Sequence, residues 1–336
     1  MTALKLLVSG GLGFIGSNFI NHIHSKRREY KIINIDKMGV GANKENMKHI
    51  TNSERYRFKK GDISNLSNLC EFLKNCDAVI NFAAETHVDR SISNPKPFLD
   101  SNYIGTFNLL EAERKLGARI RHIQISTDEV YGDIIRGSYT EEDRLNPSNP
   151  YSATKAAADL LCQAYRRTYD LDVIVTRCTN NFGPYQFPEK LIPKTIIRAL
   201  KDMNIPVYGT GENVRDWLYV IDHCEAIYHL IHNDIPGEVY NISAGNEISV
   251  LEIVKEILEI LGKPEELISF VEDRPGHDLR YSLDSSKIRS ALNWKPRHSF
   301  RDALRETVEW YVENEWWWKP LINEKVLHET PWKAPE

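Results

Sequence analysis

Residues 10–16 read Gly-Gly-Leu-Gly-Phe-Ile-Gly; they follow an apolar run from Leu4 to Val8 and open a helical pattern over 14–25. Few local features restrict a fold so strongly. Glycines at Gly10, Gly13 and Gly16 allow close backbone approach at a strand-to-helix turn. The helix that follows, beginning with Phe14 and Ile15, offers unpaired N–H groups and a positive dipole end to an anion. In this strand–loop–helix setting the turn reads as the pyrophosphate site of a doubly wound sheet. Asp36 closes the second strand pattern. A carboxylate there accepts hydrogen bonds from ribose hydroxyls and repels a 2′-phosphate, which favours NAD over NADP; the neighbouring Lys37 works against that preference. Gly61-Asp62-Ile63, after the third strand pattern, is placed at the adenine edge, although alone it would be an ordinary turn.

Strand patterns at 4–9, 31–36, 56–58, 78–82, 120–126 and 173–177 alternate with helical ones at 14–25, 66–74, 98–116 and 153–169. Such alternation predicts a parallel sheet covered on both faces. Val79-Ile80-Asn81-Phe82-Ala83-Ala84 is nearly all apolar, as a strand buried on both sides requires. After residue 180 prolines and glycines cluster at 183–193 and 206–211, and the strands shorten. The expected fold class is α/β, a Rossmann-type doubly wound parallel sheet with a smaller C-terminal substrate-binding lobe. Residues 1–180 would bind the dinucleotide. Residues 181–336 would form mainly the second lobe, with chain crossing back to the sheet near 216–243. Trp316-Trp317-Trp318 is expected to pack a C-terminal helix.

The 336 residues, 41% hydrophobic and 27% charged, suffice for one large domain with a smaller lobe. A net charge of −4 gives no basic surface for nucleic acid. No run of about 18 apolar residues occurs, so no membrane span is expected. The chain enters a strand pattern without signal-peptide grammar. Its five cysteines, Cys70, Cys76, Cys162, Cys178 and Cys224, form no Cys-x-x-Cys pair and fit reduced thiols in a cytoplasmic protein. His22 and His24 lie two apart on a helical pattern and do not share a face, so no metal site is expected.

Tyr151 and Lys155 are four apart at the start of a strongly helical stretch, which puts both on one face. A phenol with a pKa near 10 is a poor base at neutral pH. A nearby ammonium and a positive nicotinamide ring would lower it. Upstream, Thr127 ends a strand pattern and is followed at once by Asp128 and Glu129. A plain alcohol oxidation needs one acid/base group, which Tyr151 supplies. Two further carboxyls at the C-terminal end of a parallel strand indicate a second reaction in the same pocket; the bland alternative is that they cap the turn that follows.

Four stretches carry a resemblance to a known family: Ala83-Ala-Glu-Thr-His-Val-Asp-Arg90, Thr127-Asp-Glu-Val-Tyr-Gly132, Asn180-Asn-Phe-Gly-Pro-Tyr-Gln-Phe-Pro-Glu-Lys-Leu-Ile-Pro193 and Asp273-Arg-Pro-Gly-His-Asp278. Over nearly its whole length the chain resembles the extended short-chain dehydrogenase/reductases that act on nucleotide sugars. Within them it is most similar to the dTDP-glucose 4,6-dehydratases. The resemblance implies a redox-neutral dehydration. Tyr151 takes the C4 hydroxyl proton while hydride passes from C4 to NAD. The 4-ketone acidifies C5–H, a carboxylate removes that proton, and a carboxylic acid protonates the leaving C6 hydroxyl. Hydride then returns to C6, and C5 is reprotonated. The resemblance assigns Asp128 to the C6 oxygen and Glu129 to C5; the sequence alone does not order them.

The same resemblance implies that Phe82, Ala83, Ala84, Ser101 and Asn181 border the cofactor, and that Thr86 and Thr127 lie near the hexose. Lys190, Arg215 and Arg274 are the implied cations for the diphosphate, with Arg suited to bidentate contacts. Leu191, Pro206 and Tyr208 are implied beside the base, and Asn180 and His277 at phosphate or sugar hydroxyls. His87 is read as a packing residue. Residues 37–43 depart from the family pattern except for Asn43, and the Gly132-to-Tyr151 link is short. A homodimer is implied through the 98–116 and 153–169 helices, where Phe107, Leu110, Leu160 and Leu161 face either a partner or the sheet. The competing readings are a UDP-glucose 4,6-dehydratase, a 4-epimerase or UDP-glucuronate decarboxylase on the same scaffold, and a silent NAD-binding regulator. An epimerase needs no acid pair, and a regulator would be expected to lose Tyr151, Lys155 or the acids.

Overall fold

A computed structural model of the chain describes residues 3–26, 30–233 and 235–333. Strands β1 (Leu4–Ser9), β2 (Tyr30–Asp36), β3 (Tyr56–Lys60), β4 (Ala78–Asn81), β5 (Arg121–Thr127) and β6 (Val173–Cys178) build the main sheet. Outside it lie β7 (Asn180–Phe182), β8 (Ile205–Tyr208) and β9 (Val214–Tyr219). The chain then returns, and β10 (Val239–Ile242) pairs with β6 to complete a seven-stranded sheet in the order β10-β6-β5-β4-β1-β2-β3. Every pairing in it is parallel. Leu6, Leu7 and Val8 are fully buried, which is why β1 carries no polar alternation at the sheet centre. Two short strands, β11 (Glu247–Ser249) and β12 (Ile268–Val271), pair with β9 and β8 respectively.

Strand order reverses between β1 and β4. The chain ends of those strands therefore diverge and leave a crevice at their C-terminal edge. Helix Phe14–Lys26 leaves that edge directly after the glycine turn. Helix Pro150–Tyr169 starts three residues earlier than the sequence pattern. Asn149 Oδ1 accepts from Ser152 N at 2.9 Å, Ser152 Oγ accepts from Asn149 N at 3.2 Å, and Pro150 sits at the first turn. The 98–116 pattern is a wide π turn, Leu99–Ile104, followed by helix Gly105–Leu116. The 66–74 pattern shortens to helix Leu69–Leu73.

Trp317 and Trp318 are buried as expected beside helix Phe300–Glu313, their indoles donating to Asn46 Oδ1 and Tyr311 O. Trp316 is not: it is exposed and meets the Lys48 ammonium at 4.5 Å. Three consecutive residues on a helical turn point about 100° apart, so they cannot all face inward. Leu110, left open between a partner and the sheet, faces inward. It is fully buried with Cys162, Tyr165, Val173 and Val175, and Leu161 packs on the same cluster. Phe107 and Leu160 remain exposed. All five cysteines carry free thiols. His22 pairs with Glu225, whereas His24 Nε2 meets Ser53 Oγ. No helix of the described residues is long and apolar enough to cross a membrane.

Candidate active site

The glycine turn is dictated by crowding. Gly10 has φ +72°, and a Cβ there would stand 2.5 Å from Ala83 N. At Gly16 a Cβ would stand 2.5 Å from Gly10 O, where the helix meets the strand end. At Gly13 a Cβ would meet only Gly10 O, at 3.3 Å, so the rest of its surface is open. These are the separate demands of a turn that must also admit a phosphate. Gly11, not singled out from the sequence, is equally restricted: its N–H donates to Asn34 Oδ1 at 3.1 Å, and a Cβ would collide with that amide.

Asp36 ties the second strand to this turn. Its Oδ2 accepts from Leu12 N at 3.0 Å and its Oδ1 from Met38 N at 2.7 Å. Burial raises its pKa, and the two N–H donors and the Lys37 charge oppose the rise. Lys37 turns across the cleft: its ammonium meets Glu85 Oε1 and Ser101 Oγ, each at 2.6 Å. The cation beside Asp36 is thus already neutralised by Glu85. Asn102, in the π turn, accepts from Glu85 N at 2.8 Å and donates to Thr154 Oγ1 at 2.9 Å. It fastens the chain leaving β4 to helix Pro150–Tyr169. Ile63 lies under Gly105, where a Cβ would come within 2.8 Å of it. Asp62 Oδ1 accepts from Ser64 N.

Thr127 is the last residue of β5, and Asp128–Val130 form one tight turn after it. Thr127 Oγ1 donates to Asp128 Oδ1 at 3.0 Å and accepts from Glu129 N at 3.3 Å. Asp128 Oδ2 is buried without a partner. Burial, then the Glu129 charge, pushes the Asp128 carboxyl up to about 8. Glu129 is also raised by burial, but Arg274 and Arg215 act against that rise, and Asn149 Nδ2 approaches Glu129 Oε2 at 3.5 Å. Two adjacent carboxyls thus stand in different electrostatic surroundings.

Tyr151 and Lys155 are buried on the same helix face. The expected lowering of the Tyr151 phenol rests on an ammonium and a nicotinamide together; the side chains alone act in the other direction. Burial, followed by the Glu129 charge, drives the Tyr151 phenol well up rather than down; the Thr127 hydroxyl opposes it. Lys155 is itself pulled down by burial to about 8, and its ammonium donates to Ile125 O at 2.6 Å. The surrounding side chains thus favour the phenol form of Tyr151.

Gly10, Gly13, Phe14, Ile15, Gly16, Asp36, Asp62, Ile63, Phe82, Ala83, Ala84, Thr86, Ser101, Thr127, Asp128, Glu129, Tyr151, Lys155, Asn180, Asn181 and Lys190 all line one cleft. Lys37, Glu85, Gln186, Phe187 and Glu189 line it too; only Lys37 stands out in the sequence by itself, and the other four lie inside the matched motifs. Asn181 Oδ1 is held by His223 Nδ1 at 2.9 Å, and Lys190 Nζ donates to Thr86 O at 2.9 Å. His87 is half-buried and flanked by cations; desolvation first, then Lys190, holds its pKa well down. Leu191, Pro206, Tyr208, Arg215, Arg274 and His277 lie outside the lining of that cleft. Arg274 and Arg215 still reach Glu129 electrostatically. Arg274 pairs with Asp89 Oδ1 at 2.9 Å and keeps a buried Nε without a partner. The Arg215 guanidinium donates to Val214 O, Leu279 O and Asp278 O and lies 4.3 Å from the Tyr281 ring centroid. His277 Nδ1 is 2.6 Å from Asp273 Oδ1, and burial lowers its pKa to about 4.

A parallel sheet that opens a dinucleotide cleft at its switch point, with a buried Tyr-xxx-Lys pair across from a strand-end hydroxyl, defines the extended short-chain dehydrogenase/reductase class. The family model for GDP-mannose 4,6 dehydratase matches residues 7–307. The dTDP-glucose 4,6-dehydratase of Escherichia coli is 43% identical over 95% of this chain and 97% of its own. The crystal structure of DesIV, a dTDP-glucose 4,6-dehydratase from Streptomyces venezuelae with NAD and TYD bound, superposes with a TM-score of 0.92 at 43% identity, over 95% of this chain and all of that one. That of the Bacillus anthracis dTDP-glucose 4,6-dehydratase with NAD gives 0.89 at 46% identity, over the same shares. The chain belongs to the NAD-dependent epimerase/dehydratase family, on the branch of the dTDP-glucose 4,6-dehydratases.

Proposed function

We propose that the protein is an NAD-dependent hydro-lyase that converts dTDP-glucose to dTDP-4-keto-6-deoxyglucose and water. The observation that carries this reading is the divergent pair Asp128 and Glu129 beside Thr127 and Tyr151. The cleft fits NAD: Gly10, Gly13 and Gly16 line it with backbone and no side chain, together with Asp36. When bound, NAD supplies a hydride acceptor, the same hydride for return at C6, and a positive charge that favours the ionised form of Tyr151.

Tyr151 accepts the C4 hydroxyl proton, and Thr127 hydrogen-bonds the C4 oxygen. Lys155 holds the helix face to β5 through Ile125 O. Glu129, whose pKa burial raises against the opposing charges of Arg274 and Arg215, removes the C5 proton. Asp128, protonated below about pH 8, donates through its unpartnered Oδ2 to the departing C6 hydroxyl. Arg215, Arg274 and Lys190 bind the diphosphate, with Asn180 and His277 beside them. Leu191, Pro206 and Tyr208 contact the base; Phe82, Ala83, Ala84, Ser101 and Asn181 border the cofactor. Residues 1–180 serve mainly the cofactor and 181–336 mainly the nucleotide sugar. Five free thiols support a cytoplasmic setting.

We also infer a homodimer. Leu99, Phe107 and Leu160 are exposed on the adjoining 99–104, Gly105–Leu116 and Pro150–Tyr169 segments. Large apolar side chains on neighbouring helices form a patch suited to a second copy.

Turnover in deuterated water tests the chemistry. The C5 proton is lost and regained, so the product should carry one solvent deuterium at C5. A product whose sugar carbons hold no deuterium would remove Glu129 and the elimination from the account.

A further inference from the structure

Tyr208, assigned above to the nucleobase, is gripped by a segment far along the chain. Pro331–Lys333 form a single turn packed against helix Val88–Ser93. In that turn Trp332 meets the Tyr208 ring at 4.8 Å between centroids and 82° between planes. His277 borders the same ring at 6.3 Å. Asp89, on that helix, acts electrostatically on the Tyr208 phenol and holds Arg274 at 2.9 Å.

The turn is anchored by buried cations rather than by sheet pairing. Lys194 and Arg198, on helix Leu191–Leu200, are 7% and 4% exposed. Lys194 Nζ donates to His328 O at 3.0 Å, and Arg198 Nη1 to Leu327 O at 2.5 Å. Arg198 Nη2 also pairs with Glu329. Val326 and Leu327 are buried in the main core. Lys333 pairs with Glu272, next to Asp273 and Arg274. A buried cation without acceptors is costly, so these pairings hold the segment to the body of the protein.

We propose that residues 326–333 form a wall of the nucleotide site, and that Trp332 is a positioning residue: it fixes the plane of Tyr208 and, through Asp89, the setting of Arg274. This rests on the functional reading above. An edge-on ring contact restricts rotation of Tyr208, so the nucleobase meets a ring already oriented. Trp332 touches no reacting atom and acts on binding of the nucleotide half of the substrate.

The test compares wild type, W332A and W332F as full chains, by calorimetric binding of dTDP, UDP and GDP and by turnover of dTDP-glucose. W332A should weaken dTDP about five- to tenfold and raise KM by a similar factor. The effect on kcat should be smaller, and NAD retention should not change. W332F, which keeps an aromatic edge, should recover most of the loss. Unchanged dTDP affinity in W332A would overturn the inference. So would parallel losses of dTDP affinity, NAD retention and melting temperature that W332F fails to restore, because those mark a merely structural role. A wild type that binds dTDP but does not dehydrate dTDP-glucose would sink the functional reading and leave the binding comparison standing. A wild type that binds none of the three nucleotides would end both.

Discussion

Asp128 and Thr127 share a 3.0 Å hydrogen bond that leaves the second Asp128 oxygen buried and without a partner. A protonated carboxyl there has one donor hydrogen and nowhere inside the protein to place it. The next residue, Glu129, instead faces the charges of Arg274 and Arg215. In the proposed reaction Asp128 gives a proton and Glu129 takes one.

Replacing Asp128 by Asn should leave C4 oxidation intact and slow loss of water by about 10²–10⁴-fold. Single-turnover absorbance should then show the reduced cofactor accumulating. Wild-type elimination in D128N would remove Asp128 from the acid role.

The acid form of Asp128 exists below about pH 8. Hence kcat/KM should fall on the alkaline side with an apparent pKa near that value, and the fall should vanish from the residual activity of D128N. Stability follows the same group. Its native pKa lies above its unfolded one, so its contribution is complete below the unfolded value, near 3.8, and is lost as pH rises through about 8. D128N should therefore gain in melting temperature relative to wild type as pH is raised from 5 to 8.

Tyr151→Phe should abolish C4 oxidation, lowering turnover by at least about 10²-fold, while dTDP still binds. Rapid-quench analysis and calorimetry read the two quantities separately. Retained oxidation would transfer the proton-accepting role elsewhere.

Away from the chemistry, Arg177 Nε and Asp159 Oδ2 pair at 2.8 Å, and both residues are almost wholly buried. Arg177 also donates to the Tyr131 hydroxyl. D159A should destabilise the fold by about 3–5 kcal/mol, because a buried guanidinium loses its counter-charge. Denaturant unfolding measures this directly.

Leu160 is 55% exposed on helix Pro150–Tyr169. L160E should convert the proposed dimer to monomer in analytical ultracentrifugation. A wild type that sediments as a monomer at micromolar concentration would contradict the pairing.

The sequence was most legible where chemistry and local structure coincide. The glycine turn, Asp36, Thr127–Glu129 and the Tyr151/Lys155 face each follow from short-range spacing, and all line the cleft. What it hid depends on distant chain. Asn102 earns its place only because residues 83–85 and Thr154 meet there, and Gly11 is restricted by Asn34 from the next strand. Leu110 looked able to face either way, and only the packing of the two helices on β6 turned it inward. The direction of the Tyr151 shift was likewise invisible, since it arises from burial and from Glu129 across the pocket, while Lys155 turns to Ile125 O.

The most direct measurement is mass spectrometry of dTDP-glucose after incubation with the purified protein, with no NAD added. A product lighter by one water, formed over many turnovers without net reduced cofactor, is the predicted result. An unchanged substrate mass, persisting after NAD is supplied, would contradict the dehydratase account.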